Sequence, residues 1–265
     1  MKMRMCIQVC TVLCIVLSAR LAADQEEDDP ERARILEEVK TILRGGDTFE
    51  AIEFVNSQGE PEIVADRYFD LVMDFYWKER ALSELIVFAK AGIQYSLTKA
   101  QELGEEDSEK AVKLRSIGKA MAYNLASFTW PGWNEEGIIL SEGDLATGLD
   151  AAKLNLRLAH ELSKPASAVS AAHWVLGAQY LAGGSCDEAI EAFALAREKA
   201  READDAASEW MNLGYIGIAR ITEGSEKTEG EKEFREAIEG LQRIDTKDAQ
   251  FYMEQLESVL EVFSK

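Results

Sequence analysis

The stretch HWVLGAQYLAGGSCDEAIEAFALAREKA, residues 173–200, decides the fold of this chain. Its apolar residues recur at intervals of three and four, which is the spacing of an amphipathic helix. The Gly-Gly-Ser sequence in its middle interrupts this pattern and predicts a tight turn between two short helices. We expect the small residues Gly177 and Ala189 to let the two helices approach closely. Phe193 would then fill the gap to the next pair of helices.

The order of residues in this stretch resembles the tetratricopeptide repeat family. In that family a Leu-Gly pair and an aromatic residue mark the first helix of each hairpin, and Ala, Phe and Ala mark the second. The matching positions here are Leu176, Gly177, Tyr180, Ala189, Phe193 and Ala196. His173 stands where the family prefers tryptophan. The resemblance implies an all-α fold, an α-solenoid of antiparallel helical hairpins closed by a C-terminal capping helix.

A second copy of the pattern begins 37 residues further along the chain. It repeats the marked positions with Trp210, Leu213, Gly214, Phe234 and Ala237, after about four extra residues in the turn between its helices. We expect Gly214 to pack against Gly230, as Gly177 packs against Ala189. The resemblance is clear over residues 166–240 and becomes degenerate upstream.

The upstream copy contains an insertion. Ala152, Leu156 and Ala159 lie 37 residues before their counterparts in the clear repeat, and Leu125-Ala126 stand at the Leu-Gly position. The two halves of this copy are therefore 27 residues apart, against 13 in the clear repeat. The excess of 14 residues falls in SFTWPGWNEEGIILSEGD, residues 127–144. We call its central part, residues 129–143, the Trp loop.

Helical periodicity continues through the rest of the chain, which has only four prolines and almost none of the alternation typical of strands. We predict about eleven helices. Asp47 is expected to cap the second helix and Ser108 the fifth, and the sixth is expected to begin at Asp144. Ser185 and Glu188 have the spacing of a capping box at the start of the eighth helix.

These features predict three successive regions. Residues 1–23 are expected to be a signal peptide, and residues 24–115 an N-terminal helical region in which residues 67–91 are open to interpretation as a further degenerate repeat. Residues 116–265 are expected to hold the repeats and the capping helix, continuous with the N-terminal region. The last helix serves as a cap because the final hairpin would otherwise leave an apolar face in water.

The leader has the layout of a secretory signal. Lys2 and Arg4 precede an apolar run at residues 6–17 that is short for a membrane span, and small residues follow before the chain turns acidic at Asp24. Cleavage near residue 22 or 23 would export the mature chain to the periplasm or the extracellular space, and no span would remain. The alternative is an uncleaved anchor. Of the four cysteines only Cys186 lies beyond the leader, so the mature chain would hold no internal disulfide.

The charge of the chain limits its partners. The whole sequence carries 29 basic and 49 acidic residues, for a formal charge of −20. Loss of Lys2, Arg4 and Arg20 with the leader would leave 26 basic residues and a charge of −23. Such a surface repels phosphate backbones and anionic lipids, so we expect no nucleic-acid partner. The charge also keeps the protein in solution.

Few residues suggest catalysis. The two histidines, His160 and His173, both fall inside predicted helices near packing positions. No zinc-binding or nucleophile-elbow motif is present, and we expect a non-enzymatic protein without a cofactor or metal. Cys186 begins a helix, where the dipole can lower a thiol pKa, so it is either a reactive thiol or simply a small residue in a repeat turn.

Binding is therefore the expected function, with a protein or peptide as the partner. In the family that the sequence resembles, the first helix of each hairpin lines a concave groove that binds peptides. The positions carried over to this chain are Trp174, Ala178, Leu181, Met211, Tyr215 and Ile218. They are apolar rather than basic, unlike the residues that clamp a peptide carboxylate in some members. An apolar groove needs a filler, which is either a partner segment or part of this chain itself.

The Trp loop offers a second candidate site. Trp130 and Trp133 could stack on a small molecule or carbohydrate, with Glu135 and Glu136 beside them, or the loop could be a structural plug over an irregular repeat junction. For the plug, we expect residues 138–140 to pack down on neighbouring hairpins, with residues 134–136 at the tip.

Overall fold

The fold of the protein is described from a computed structural model, and the structure describes residues 30–104 and 107–264. The expected signal peptide, residues 1–23, lies outside the described residues. Within the described ranges the chain is entirely helical, as expected. Its eleven α-helices are α1 (Pro30–Arg44), α2 (Thr48–Asn56), α3 (Pro61–Trp77), α4 (Leu82–Leu103), α5 (Ser108–Phe128), α6 (Glu142–Glu161), α7 (Ala166–Ala182), α8 (Cys186–Glu202), α9 (Ala206–Glu223), α10 (Lys227–Gln242) and α11 (Lys247–Phe263).

Local sequence signals place most helix ends correctly. The Asp47 carboxylate accepts a hydrogen bond from the backbone N–H of Glu50, 2.8 Å away, and caps α2 as expected. Two expected caps are wrong. Asp107 rather than Ser108 caps α5: Ser108 is already the first residue of the helix, and the Asp107 carboxylate accepts a hydrogen bond from the backbone N–H of Lys110 at 3.5 Å. Ser185 makes no capping hydrogen bond to α8, so the expected capping box is not formed.

Each helix packs chiefly against its neighbours in the sequence, which gives the repeat-like architecture of a helical solenoid. Short turns fold successive helices back on one another, and one continuous apolar core extends from α1 to α11. The last helix, α11, packs against α9 and α10 and also reaches a single 3-10 turn at Pro131–Trp133 in the Trp loop. In the described part of the chain, every helix is too short or too polar to cross a membrane.

The hairpin formed by α7 and α8 is closely packed at Gly177 as expected, but the residue that faces Gly177 is Phe193 rather than Ala189. A Cβ atom on Gly177 would lie 2.7 Å from the ring of Phe193, so the absence of a side chain at residue 177 allows α8 to approach α7. The other side of the Phe193 ring stacks on Tyr215 of α9, with 4.9 Å between centroids. Phe193 therefore joins its own hairpin to the next one and is fully buried.

The next hairpin, α9 with α10, differs from the expected register. Gly217, rather than Gly214, faces Gly230: a Cβ atom on either would lie 2.7 Å from the carbonyl oxygen of the other. Gly214 instead faces Leu256 of α11, at 2.5 Å from an added Cβ. The residue of α9 that faces Gly230 therefore lies three residues later than expected, which is about one helical turn. The longer turn before α10 accounts for this shift. The sequence pattern alone does not predict this shift in the pairing of α9 and α10.

The N-terminal helices are fixed by a buried ion pair. Arg32 of α1 donates two hydrogen bonds to Asp74 of α3, at 3.0 and 2.7 Å. Lys78 adds a second cation 3.1 Å from the same carboxylate. The two-point geometry sets the position of α1 against α3 more sharply than apolar contact alone would.

The close contact at Gly177 can be tested with a matched pair of substitutions. Gly177→Ala should lower the free energy of unfolding by about 1–3 kcal/mol, because the new methyl group overlaps the buried Phe193 ring. Gly118→Ala is the control: its Cβ would have ordinary contacts at 3.5 Å, and the change should stabilise α5 by about 0.5–1 kcal/mol. Urea unfolding of both variants measures the difference. Equal effects would show that α7 and α8 are not in close contact at Gly177.

Candidate functional site at the Trp loop

The six predicted groove residues lie together but are buried. Trp174, Ala178, Leu181, Met211, Tyr215 and Ile218 each expose 3% or less of their surface. The rings of Trp174 and Tyr215 are 5.8 Å apart and nearly perpendicular. The residues predicted to line a groove on α7 and α9 are therefore buried in the core in this structure.

Trp130 covers the groove. Its ring is 2% exposed and lies 5.8 Å from Trp174, 6.1 Å from Tyr215 and 6.3 Å from Phe263 of α11. The next turn of the chain passes directly over the ring, since a Cβ atom on Gly132 would lie 2.2 Å from it. Of the two fillers considered for the groove, the structure contains the chain's own loop. Trp130 therefore lies against two of the six predicted groove residues, Trp174 and Tyr215.

Trp133 connects the buried and the exposed parts of the loop. Its ring meets Trp130 edge to face, with 5.2 Å between centroids, and its indole N–H donates to the carbonyl oxygen of Ser127 at 2.8 Å. The side chain is half-buried, so one part of the ring is in contact with the core and another faces solvent. This arrangement fixes the orientation of the ring at the protein surface.

The tip of the loop is attached to the N-terminal helices by an ion pair. The guanidinium of Arg80 lies 3.0 Å from the carboxylate of Glu135 and 5.9 Å from the ring centroids of both Tyr76 and Trp77. Arg80 has a φ of 53°, an uncommon value for a residue other than glycine. Glu136, at the expected tip, is exposed.

The second half of the loop differs from the expectation. Ile138 and Leu140 are half-buried as expected, but Ile139 is 90% exposed, so residues 138–140 do not pack down together. Successive side chains of a non-helical, extended segment point to opposite sides, and the central one of three therefore faces away from the core. The capping box formed by Ser141 and Asp144 then starts α6 two residues earlier than predicted, at Glu142.

A cleft of about 280 Å³ lies beside the loop, lined by apolar and aromatic side chains together with the polar residues Asn134 and Glu135. It is formed where the ends of α3 and α5, the Trp loop and the end of α11 meet. Its walls include Tyr76, Phe128, Trp133, Ile138, Leu140 and Val262. Tyr76 and Phe128 stack with 3.8 Å between ring centroids and form a firm base. Sequence reasoning missed Tyr76, Arg80, Phe128 and Val262, because no local pattern links segments so far apart in the chain.

Of the remaining candidates for chemistry, His160 is exposed, and His173 and Cys186 are buried. Burial, reinforced by the neighbouring His160 and Lys199, lowers the pKa of His173 to about 4. Burial and nearby acidic residues raise the pKa of the Cys186 thiol, opposite to the shift that a reactive thiol at a helix start requires. Among residues 30–104 and 107–264, no three His, Cys, Asp or Glu side chains are placed to hold a metal ion.

Comparison of the chain with models of known protein families and with curated proteins finds no match. The site is therefore interpreted from its own geometry.

The contribution of the two tryptophans to the core can be separated by mutation. Trp130→Ala should lower the free energy of unfolding by about 3–5 kcal/mol, because it empties the space between Trp174, Tyr215 and Phe263. Trp133→Ala should cost clearly less, because the ring is already half-exposed. Thermal and urea unfolding measure both. An unchanged melting temperature for Trp130→Ala would contradict a structural role for this ring.

The buried histidine predicts a pH dependence of stability. Between about pH 6.5, the ordinary pKa of histidine, and pH 4, the unfolded chain binds a proton that folded His173 does not. Stability should therefore fall as the pH falls through this window, by about 3 kcal/mol from this residue. His173→Phe should flatten that part of the profile, whereas His160→Gln should flatten it only slightly, because it removes a smaller contribution to the shift and leaves the burial of His173 in place. Identical profiles for the wild type and His173→Phe would contradict the assignment.

Proposed function

We propose that this protein is an exported, non-enzymatic helical-repeat scaffold, of the tetratricopeptide-like type, that binds a protein or peptide partner. The observation that carries this proposal is the arrangement at the Trp loop, where a fully exposed aliphatic side chain stands next to an apolar cleft. Ile139 is the most exposed large apolar side chain among the described residues, at 90%. The proposed binding surface comprises Ile139 and the adjoining cleft.

The loop is suited to recognition because its base is rigid. Trp130 is fixed in the core, Trp133 is held by a hydrogen bond to Ser127, and the Ser141 capping box starts the following helix. A loop that is anchored at both ends presents its outer side chains in a defined position. Binding residues are often found on such loops, with a regular scaffold beneath them.

The proposed export and the proposed class of partner are both inferred from the sequence. The basic and apolar leader supports export, and the formal charge of −20 argues against a nucleic-acid partner. The buried groove residues, Trp174 and Tyr215 among them, serve in this proposal to support the loop. No cofactor is needed for binding of this kind.

A second candidate function is the binding of a small molecule or carbohydrate. Its support is the half-exposed ring of Trp133 beside the Glu135 carboxylate in the wall of the cleft. An aromatic face with a hydrogen-bond acceptor at its edge is a common arrangement for a sugar or a flat ring. The volume of the cleft, about 280 Å³, is slightly below the usual range for such pockets, about 300–1,000 Å³.

The proposed surface is tested by quantitative pull-down from the exported fraction with matched variants. Ile139→Asp should reduce retention of the specific partner about tenfold, because it places a charge on the exposed apolar side chain between two residues that line the cleft. Phe49→Asp is the control, since Phe49 is 83% exposed on α2, outside the cleft. Equal loss from both variants, or from neither, would contradict the surface. Quenching of Trp133 fluorescence by oligosaccharides, with no protein retained, would favour the second candidate instead.

A further inference from the structure

Within the part of the chain that the structure describes, three exposed carboxylates without an ion-pair partner lie within two residues, along the chain, of residues that line the cleft. Glu136 follows the lining residue Glu135, Glu142 lies two residues after Leu140, and Glu261 precedes Val262. All three are exposed. Among the described residues none of these three carboxylates has an ion-pair partner, whereas Glu135 is paired with Arg80. The unpaired charges next to these lining residues in the chain are therefore negative.

The surroundings of Arg80 show that a cation is already held in this region of the protein. The Arg80 guanidinium lies 5.9 Å from the ring centroids of Tyr76 and Trp77 and 3.0 Å from Glu135. A cation is thus already held here by aromatic rings together with a carboxylate, which is a favourable combination. The half-exposed Trp133 ring and the free Glu136 carboxylate offer the same two components to a cation from outside.

We infer that the cleft docks a basic segment of a partner protein, with one apolar side chain seated between Trp133, Leu140 and Val262. Lysine or arginine residues flanking that side chain would face Glu136, Glu142 and Glu261. The inference rests on the proposed function and specifies the kind of partner. The volume of about 280 Å³ suits one large side chain of a peptide. The overall charge of −20 would also speed the approach of a basic segment.

The test uses three labelled peptides with the same central leucine or phenylalanine, flanked by lysine, glutamine or glutamate. Fluorescence anisotropy should show the lysine peptide binding about tenfold more tightly than the glutamine peptide at low salt, with the gap closing as salt is added. The glutamate peptide should bind most weakly. Equal affinity of the three peptides would overturn the inference.

Charge-reversal variants locate the effect. Glu136→Lys with Glu261→Lys should weaken binding of the lysine peptide about tenfold and improve binding of the glutamate peptide. Glu231→Lys with Glu236→Lys is the matched control, because both residues are exposed on α10 and the change in net charge is the same. All four positions are exposed, and thermal unfolding checks that each variant keeps its fold. An equal loss in the control would show non-specific attraction and overturn the inference.

The inference and the proposed function fail in different ways. If all three peptides bind equally and Ile139→Asp abolishes the binding, the cleft is a docking site without charge preference, so the inference is wrong and the proposed function stands. If no peptide binds and the pull-down is insensitive to Ile139→Asp, both are wrong. Preference for the lysine peptide together with loss in Ile139→Asp supports both.

Discussion

The structure depends on the burial of one ring, that of Trp130. The ring belongs to an insertion, yet it contacts α7 through Trp174, α9 through Tyr215 and α11 through Phe263. A stack of hairpins in which each unit contacts only its neighbours has no such central element. Here the Trp loop and the last helix pack together against α7 and α9, and one core extends from α1 to α11. The consequence is that the predicted groove residues are buried and the outer side of the loop is exposed.

The predicted groove residues are covered by apolar ring contacts, and polar atoms buried with these rings are left without hydrogen-bond partners within the described ranges. Among the described side chains, the indole N–H groups of Trp130 and Trp174 and the hydroxyl of Tyr215 make no hydrogen bond of good geometry. The Trp174 N–H faces the Tyr215 hydroxyl and slightly offsets the rise in its pKa, but burial dominates and raises that pKa well above its usual value. Each buried polar group without a hydrogen bond lowers the free energy of unfolding by about 1–3 kcal/mol, and the burial of the Trp130, Trp174 and Tyr215 rings offsets this loss.

Sequence reasoning succeeded where the signal is local. Prolines, glycines and short polar caps such as Asp47 and Ser141 act within one turn of a helix, so the helix ends were located to within about two residues. The α7–α8 hairpin followed from the same short-range logic through Gly177 and Phe193. The register of α9 against α10 could not be predicted, since it depends on how a lengthened turn is accommodated. The cleft could not be predicted either, because Tyr76, Phe128 and Val262 meet only in the folded chain.

The two interpretations of the Trp loop, plug and recognition element, describe different halves of one segment. Trp130 and Gly132 lie in the core, and a change of side-chain shape at either residue would disturb the packing of three helices. Glu136 and Ile139 face solvent and contribute little to folding. Trp133 stands between the two halves, with its N–H fixed to Ser127 and part of its ring exposed in the cleft. The stability of the fold therefore depends on the first half of the segment, and the exposed side chains belong to the second half. A substitution at Glu136 or Ile139 can change the surface of the protein while the core around Trp130 is preserved.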